Sequence, residues 1–98
     1  GQNRITANLE GAPIDDAVRI DDADIVRTGY RLLHHEGLFL GGTSGANVAA
    51  AVQVARELGP GHTIVTILCD SGSRYLDQLY NAEFLWRRKL PVPDWIVA

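Results

Sequence analysis

The sequence predicts an α/β domain in which a parallel β-sheet is covered by helices on both faces, a three-layer arrangement. Predicted strands and helices alternate along the chain, which is typical of parallel sheets with right-handed crossovers. The segment 63–69, TIVTILC, is apolar almost throughout, as expected of a strand that is buried on both faces. With 98 residues, the chain is long enough for one domain at most.

The first part of the chain predicts a loop, a short strand and a helix. Residues 1–16 have a loop composition, and AVRI at 17–20 is a strand candidate. Asp21 is suited to cap a helix, with acidic residues in the first turn, and Gly37 is suited to end it. Ile25, Val26, Tyr30 and Leu33 recur at helical spacing and are expected to form its buried stripe.

The second part continues the alternation. LFL at 38–40 is a short strand candidate, and Ser44 is the predicted N-cap of a helix that Gly59 closes. Its apolar stripe consists of Val48, Ala51, Val52, Ala55 and Leu58. After the buried strand 63–69, residues 73–90 predict one or two short helices bearing Leu76, Leu79, Phe84 and Leu85, and residues 91–98 predict an extended tail.

Composition and charge exclude several classes of protein. A net charge of -3 and a pI near 5.4 argue against a nucleic-acid partner, which would require a clustered positive surface. The basic cluster 87–89 is better explained as the cationic end of a helix. No apolar run approaches the ~20 residues that span a bilayer, and we expect a cytoplasmic protein without a membrane partner. The single cysteine, Cys69, excludes an internal disulfide and a cysteine-based zinc site and is expected to be a buried, inert thiol.

Two loops of small residues are the candidate sites of chemistry. Residues 41–46 and 70–73 each follow a predicted strand, so both should emerge at the carboxyl edge of the sheet and lie on the same side of the domain, where ligands of open α/β sheets bind. The first loop could bind a phosphate at a helix N-terminus or simply form a tight turn; the sequence leaves both open. A serine hydrolase is disfavoured because GTSGA departs from the G-x-S-x-G motif. We expect His34 and His35 to lie at the surface of a helix end.

The segments EGLFLGGTSGANVAAAV and TIVTILCDSGSRYLDQLYNAEFL resemble the C-terminal portion of the cysteine synthases. These O-acetylserine sulfhydrylases are pyridoxal-phosphate enzymes of the tryptophan-synthase-β-like fold, or fold type II. The resemblance covers almost all of the chain. It implies that residues 1–98 are one partial α/β domain, the C-terminal part of the larger cofactor-binding domain.

The resemblance implies a role for Ser71 in binding pyridoxal phosphate. At this motif position the family has a hydroxyl that hydrogen-bonds the pyridine nitrogen, and a neutral hydroxyl leaves the ring a milder electron sink, which suits β-replacement. Residues 41–44 would form the neighbouring wall. Asp70 and Arg74 are expected to hold the loop in shape and Tyr75 to pack.

The resemblance also implies that other parts of the enzyme lie outside this chain. The family attaches its cofactor through a lysine and grips the phosphate with a loop, both upstream; Lys89 is the only lysine here and matches neither. We therefore expect no catalytic residue in this chain and no activity from it alone. The intact enzyme, expected to be a homodimer, would convert O-acetylserine and sulfide to cysteine and acetate. A cystathionine β-synthase-like enzyme and a non-catalytic module that binds a phosphate-bearing ligand are the alternatives.

Overall fold

The structure is a computed structural model that describes residue 11 and residues 13–95. Its regular elements are helical: α1 (Asp22–Glu36), α2 (Gly42–Leu58), a 3₁₀ helix (Gly72–Tyr75) and α3 (Ala82–Arg87). Most of the opening loop predicted for 1–16, and the last three residues of the predicted tail, lie outside the described residues. The segments 13–16 and 91–93 have no regular secondary structure.

Helix α1 begins and ends where the sequence predicts. The Asp21 carboxylate accepts a hydrogen bond from the Asp24 amide at 2.8 Å, so it satisfies a donor that the first helical turn leaves free. Gly37 follows the helix in a left-handed conformation with φ 67°, which glycine adopts without steric cost. His34 and His35 lie in the last turn of α1 and are both exposed, as the sequence predicted.

Helix α2 begins two residues before the predicted capping residue. Gly41 is the N-cap, and Ser44 lies inside the first turn, fully buried. The prediction of Ser44 as N-cap was wrong because its hydroxyl has another use: it accepts a hydrogen bond from the Cys69 amide at 2.8 Å. The C-terminal end was predicted correctly, since Gly59 follows Leu58 as the C-cap.

The predicted parallel sheet is absent from the described residues. Segments 17–20, 38–40 and 63–69 form no β-ladder. Leu40 and Ser71 form an isolated antiparallel β-bridge. A strand needs a neighbour that pairs with its amides and carbonyls, and the described residues provide no such neighbour for 63–69. Val65 and Ile67 are accordingly 84% and 65% exposed.

The core lies between α1 and the C-terminal third of the chain. Val26 and Tyr30 of α1 are buried with Leu79 and Leu85 in one cluster, and the Tyr30 hydroxyl donates a 2.8 Å hydrogen bond to the Leu79 carbonyl. Two residues of the predicted α1 stripe, Val26 and Tyr30, and two of the predicted apolar residues near the C-terminus therefore form the core, whereas Ile25 and Leu33 of the stripe are only partly buried. Leu76 does not, being 56% exposed.

Helices α1 and α2 pack closely through small residues. A Cβ atom on Gly45 would lie 2.9 Å from the Ile25 carbonyl oxygen and 3.6 Å from the Gly29 amide nitrogen, so glycine is required at this crossing. The apolar stripe of α2 was predicted to face a sheet; Val52 and Leu58 of that stripe are instead 43% and 51% exposed. The sheet that would cover this face is missing from the described residues, as it is for segment 63–69.

Candidate functional site

The candidate site lies where the segment before α2 meets the segment after residue 69. The Gly41 amide donates to the Asp70 carbonyl at 2.9 Å, and the Gly72 amide donates to the Phe39 carbonyl at 2.9 Å. These two hydrogen bonds flank the bridge between Leu40 and Ser71. The two small-residue loops therefore lie side by side, as the sequence predicted.

Ser71 lies at this junction and is exposed. Its hydroxyl oxygen caps the 3₁₀ helix by accepting from the Ser73 amide at 3.3 Å, and it lies 3.0 Å from the Ser73 hydroxyl oxygen. When Ser73 donates in that hydroxyl pair, the Ser71 proton is free to be donated outward. Ser71 is therefore an exposed hydroxyl group next to the Gly41 turn.

Asp70 and Tyr75 hold the loop together. The Tyr75 hydroxyl donates to the Asp70 carboxylate at 2.6 Å, and this hydrogen bond is the main reason why the pKa of Tyr75 is raised. The guanidinium of Arg74 is 3.9 Å from the same carboxylate and 72% exposed, so its contribution is small. The contacts of Asp70 and the half-buried Tyr75 agree with the roles expected of them.

Tyr80 supports the other side of the bridge, a role for which the sequence contains no local signal. Its hydroxyl donates a hydrogen bond to the Leu40 carbonyl, and burial raises the pKa of the phenol. Its ring packs against Phe39, with ring centroids 4.6 Å apart. The bridge between Leu40 and Ser71 is therefore held by a tyrosine on each side.

Two glycines allow these aromatic rings to approach the backbone. A Cβ atom on Gly41 would lie 2.5 Å from Cε2 of Tyr75, and one on Gly72 would lie 2.6 Å from Cδ1 of Phe39 and 2.8 Å from Cε2 of Tyr80. Such distances are too short for real Cβ contacts, so both positions require glycine. The resemblance implied that the Gly41 turn forms a wall of the cofactor site; within the described residues, the Tyr75 ring is what comes close to Gly41.

Polar side chains of α2 attach the end of segment 63–69 to the helix. Asn47, which was not among the sequence candidates, donates from its amide nitrogen to the Ile67 carbonyl at 3.0 Å. The buried Ser44 hydroxyl accepts from the Cys69 amide. Cys69 itself is exposed. The prediction of a buried thiol was wrong because the strand that should carry it has no covering layer in the described residues.

Lys89, which matches neither the attachment lysine nor the phosphate loop of the family, is exposed. Within the described residues, no group of three or more His, Cys, Asp or Glu side chains is placed to hold a metal ion. None of the helices within residue 11 and residues 13–95 is long and apolar enough to cross a bilayer.

Comparison with known proteins places the chain in a family. A profile described as "Pyridoxal-phosphate dependent enzyme" matches residues 3–70, more than half of the chain, and the chain belongs to this family. Its members depend on pyridoxal phosphate, and an exposed neutral hydroxyl such as that of Ser71 fits the ring of that cofactor as a donor to a ring nitrogen when Ser73 donates in the hydroxyl pair.

Individual relatives are more specific. The chain is 50% identical to "Cysteine synthase 2" of Schizosaccharomyces pombe over 96% of its own length and 24% of that protein. It is 46% identical to "Cysteine synthase" of Dictyostelium discoideum over 96% of its length and 25% of that protein. For "Cysteine synthase 1" of Neurospora crassa the identity is 44% over 92% of this chain and 24% of the relative. The chain thus spans about a quarter of the length of these curated relatives.

Proposed function

We propose that this chain forms the C-terminal part of the cofactor domain of a cysteine synthase. The intact protein would form cysteine and acetate from O-acetylserine and sulfide by β-replacement. The names of the relatives support this activity over the cystathionine β-synthase-like alternative. One observation of the structure carries the proposal: the exposed Ser71 lies at the junction of two loops that the chain's own hydrogen bonds hold together.

The exposed apolar surface supports a larger domain of which residues 1–98 are one part. Segment 63–69 exposes Val65, Ile67 and Leu68, and α2 exposes Val52 and Leu58. Large apolar side chains left uncovered along a segment and along a helix are the kind of surface that another part of a protein covers. Strands from another part of the polypeptide would pair with 63–69, cover the apolar stripe of α2 and complete the three-layer parallel sheet of the tryptophan-synthase-β-like fold.

Ser71 would hold the cofactor ring in this domain. When bound, pyridoxal phosphate supplies the electron sink that loss of a β-substituent requires. Ser71 contributes a neutral donor, and it carries no negative charge that would keep the ring nitrogen protonated. Gly41 to Ser44 would form the adjacent wall. The chain does not supply the attachment lysine or the phosphate loop, so by itself it would be inactive.

The other partners follow from the same proposal. The substrates are small molecules, and the remainder of the polypeptide is the principal protein partner of this segment. We further propose a homodimer in the cytoplasm, without a nucleic-acid or membrane partner. The net charge of -3 supports the absence of nucleic acid.

Two substitutions at Ser71 in the intact, cofactor-loaded protein test whether the hydroxyl binds the cofactor. Ser71→Ala removes the hydroxyl and is expected to shift the absorbance of the bound cofactor and to lower kcat by at least roughly tenfold, the factor that corresponds to about one hydrogen bond. Ser71→Thr keeps a hydroxyl and should retain the wild-type spectrum.

A third substitution, Ser71→Asp, separates the cofactor role from the capping role. Aspartate caps helices as well as serine does, so the thermal stability of this variant, measured without cofactor, should match wild type. Its carboxylate would favour a protonated ring nitrogen and should change both the absorbance and the rate. If the Ser71→Asp variant shows the wild-type spectrum and rate, Ser71 serves only as a cap and the proposed role is wrong.

A further inference from the structure

Tyr75 contacts both loops of the candidate site at once. Its ring lies against Gly41, where a Cβ atom would be 2.5 Å from Cε2 of Tyr75 and 3.1 Å from Cδ2. Its hydroxyl donates to the Asp70 carboxylate at 2.6 Å. Because Asp70 immediately precedes Ser71, one side chain spans the loop before α2 and the residue next to the candidate cofactor ligand.

Asp70 is fixed at two points, and Tyr75 is one of them. The Asp70 carbonyl accepts the Gly41 amide at 2.9 Å, while its carboxylate receives the Tyr75 hydroxyl. The competing partner, Arg74, is 3.9 Å away and largely exposed, so it constrains the carboxylate weakly. The Tyr75 hydroxyl is therefore the strong constraint on the Asp70 side chain.

The geometry points to Tyr75 as a positioning residue that sets Ser71 against the Gly41 turn by orienting Asp70. This inference rests on the proposed function, because it concerns the same cofactor site. The Ser71 hydroxyl oxygen bonds to Ser73 and not to Tyr75. The effect passes through the backbone, since Asp70 and Gly72 on either side of Ser71 are both hydrogen-bonded to the opposite loop.

The alternative is that Tyr75 only fills space. In that case the ring matters and the hydroxyl does not, because the ring alone covers Gly41. Tyr75→Phe keeps the ring and removes the hydroxyl, so it distinguishes the two roles. Tyr30→Phe is the matched control: it removes a buried hydroxyl that donates to the Leu79 carbonyl in the core, outside the two site loops.

The first measurement is hydrogen exchange in the intact protein without cofactor. In Tyr75→Phe, peptides covering 39–46 and 70–76 should exchange roughly tenfold faster, the factor given by losing about one hydrogen bond. Peptides covering α3 should be unchanged. Unchanged exchange in both site loops would overturn the inference, and so would equal acceleration in α3, because that would indicate a general loss of stability.

The second measurement uses the cofactor. In Tyr75→Phe, the absorbance maximum of bound pyridoxal phosphate should shift and its dissociation constant should rise, whereas Tyr30→Phe should keep the wild-type spectrum. Asp70→Asn retains an acceptor for the Tyr75 hydroxyl and should preserve more of the wild-type behaviour than Asp70→Ala. If the loops loosen but the spectrum and affinity stay at wild-type values, Tyr75 does not position the cofactor ligand.

Failure of this inference can be told from failure of the proposed function. If Ser71→Ala leaves the cofactor spectrum unchanged, Ser71 is not a ligand and the proposed function fails, whatever the exchange rates in Tyr75→Phe. If Ser71→Ala changes the spectrum and Tyr75→Phe does not, the cofactor site stands and only the positioning role is wrong.

Discussion

The loops of the candidate site and the apolar segment 63–69 lie next to each other in the chain but differ in how they are held. The loops are fixed from within the described residues: backbone hydrogen bonds join them, and two tyrosine hydroxyls brace them. Segment 63–69 is attached near its C-terminal end, to Ser44 and Asn47 of α2. Its residue Val65 is 84% exposed.

The difference shows which contacts a short stretch of chain can make for itself. The partners that fix the loops all lie within the described residues, some close in sequence, as Asp70 and Tyr75 are, and some far apart, as Leu40 and Ser71 are. A strand in a parallel sheet needs neighbouring strands to pair with, and the described residues contain none for 63–69. The loop geometry is therefore built into this chain, whereas burial of the apolar segment would require neighbouring strands.

The largest expected effect tests whether segment 63–69 is a buried strand in the intact protein. Val65→Asp should lower the free energy of unfolding of the intact protein by several kcal/mol, roughly the cost of burying a charge without a partner. In the 98-residue chain, where Val65 is exposed, the change should stay within about 0.5 kcal/mol. Chemical denaturation of both proteins measures the difference, and equal effects in the two would mean that the segment stays uncovered.

A smaller loss of stability is expected when a residue with a side chain replaces Gly72 in the loops of the candidate site. Gly72→Ala places a Cβ atom 2.6 Å from the Phe39 ring and should lower the free energy of unfolding of the intact protein by about 1–3 kcal/mol. Gly42→Ala is the control, because the nearest atom to its Cβ is a methyl group of Ile25 at 3.8 Å. That change, within α2, should be neutral or stabilise by up to about 1 kcal/mol. Similar melting temperatures for the two variants would contradict the packing described around Gly72.

The smallest predicted effect at neutral pH concerns Tyr30 in the core, and this effect grows with pH. Burial raises the pKa of Tyr30 from its ordinary value of 10.0 to about 12. The folded protein holds the phenol proton of Tyr30 more tightly than the unfolded chain does. The protonated phenol therefore makes its full contribution to the free energy of unfolding below pH 10, and this contribution is lost as the pH rises toward 12.

Comparison with Tyr30→Phe isolates this contribution from those of the other tyrosines. Urea denaturation of the intact protein should show wild type losing about 2 kcal/mol more than Tyr30→Phe between these pH values. At neutral pH the variant should be less stable by about 1 kcal/mol, through loss of the hydrogen bond to the Leu79 carbonyl. Parallel pH profiles would show that the Tyr30 phenol is not protected from ionisation.

Local sequence signals predicted the helices better than the sheet. Asp21 and Gly37 set the ends of α1 because each acts on the backbone within a few residues. The prediction of Ser44 as the N-cap of α2 was wrong, because a serine near the start of a helix can either cap the helix or, as here, bind a distant amide. Nothing in the local pattern distinguishes the two uses.

The candidate site was predicted in part. The sequence predicted that Ser71 and the Gly41 loop lie on one side of the domain, because both loops were placed at the carboxyl ends of parallel strands. The described residues bring the two loops together through one antiparallel bridge and without that sheet. It could not show that Tyr80 braces Leu40, a contact between residues far apart in the chain, nor that Tyr75 covers Gly41. Such contacts depend on how the chain folds back, and residue type alone does not encode them.

By itself the sequence determined most of the helix ends, the apolar character of segment 63–69 and the motif that contains Ser71, because these depend on neighbours within a few residues. The tertiary structure alone decided which glycines must stay glycine, which backbone groups the hydroxyls of Ser44 and Tyr80 bind, and which apolar residues are covered. These outcomes are set by pairs of atoms far apart in the chain, and their distances exist only once the chain has folded.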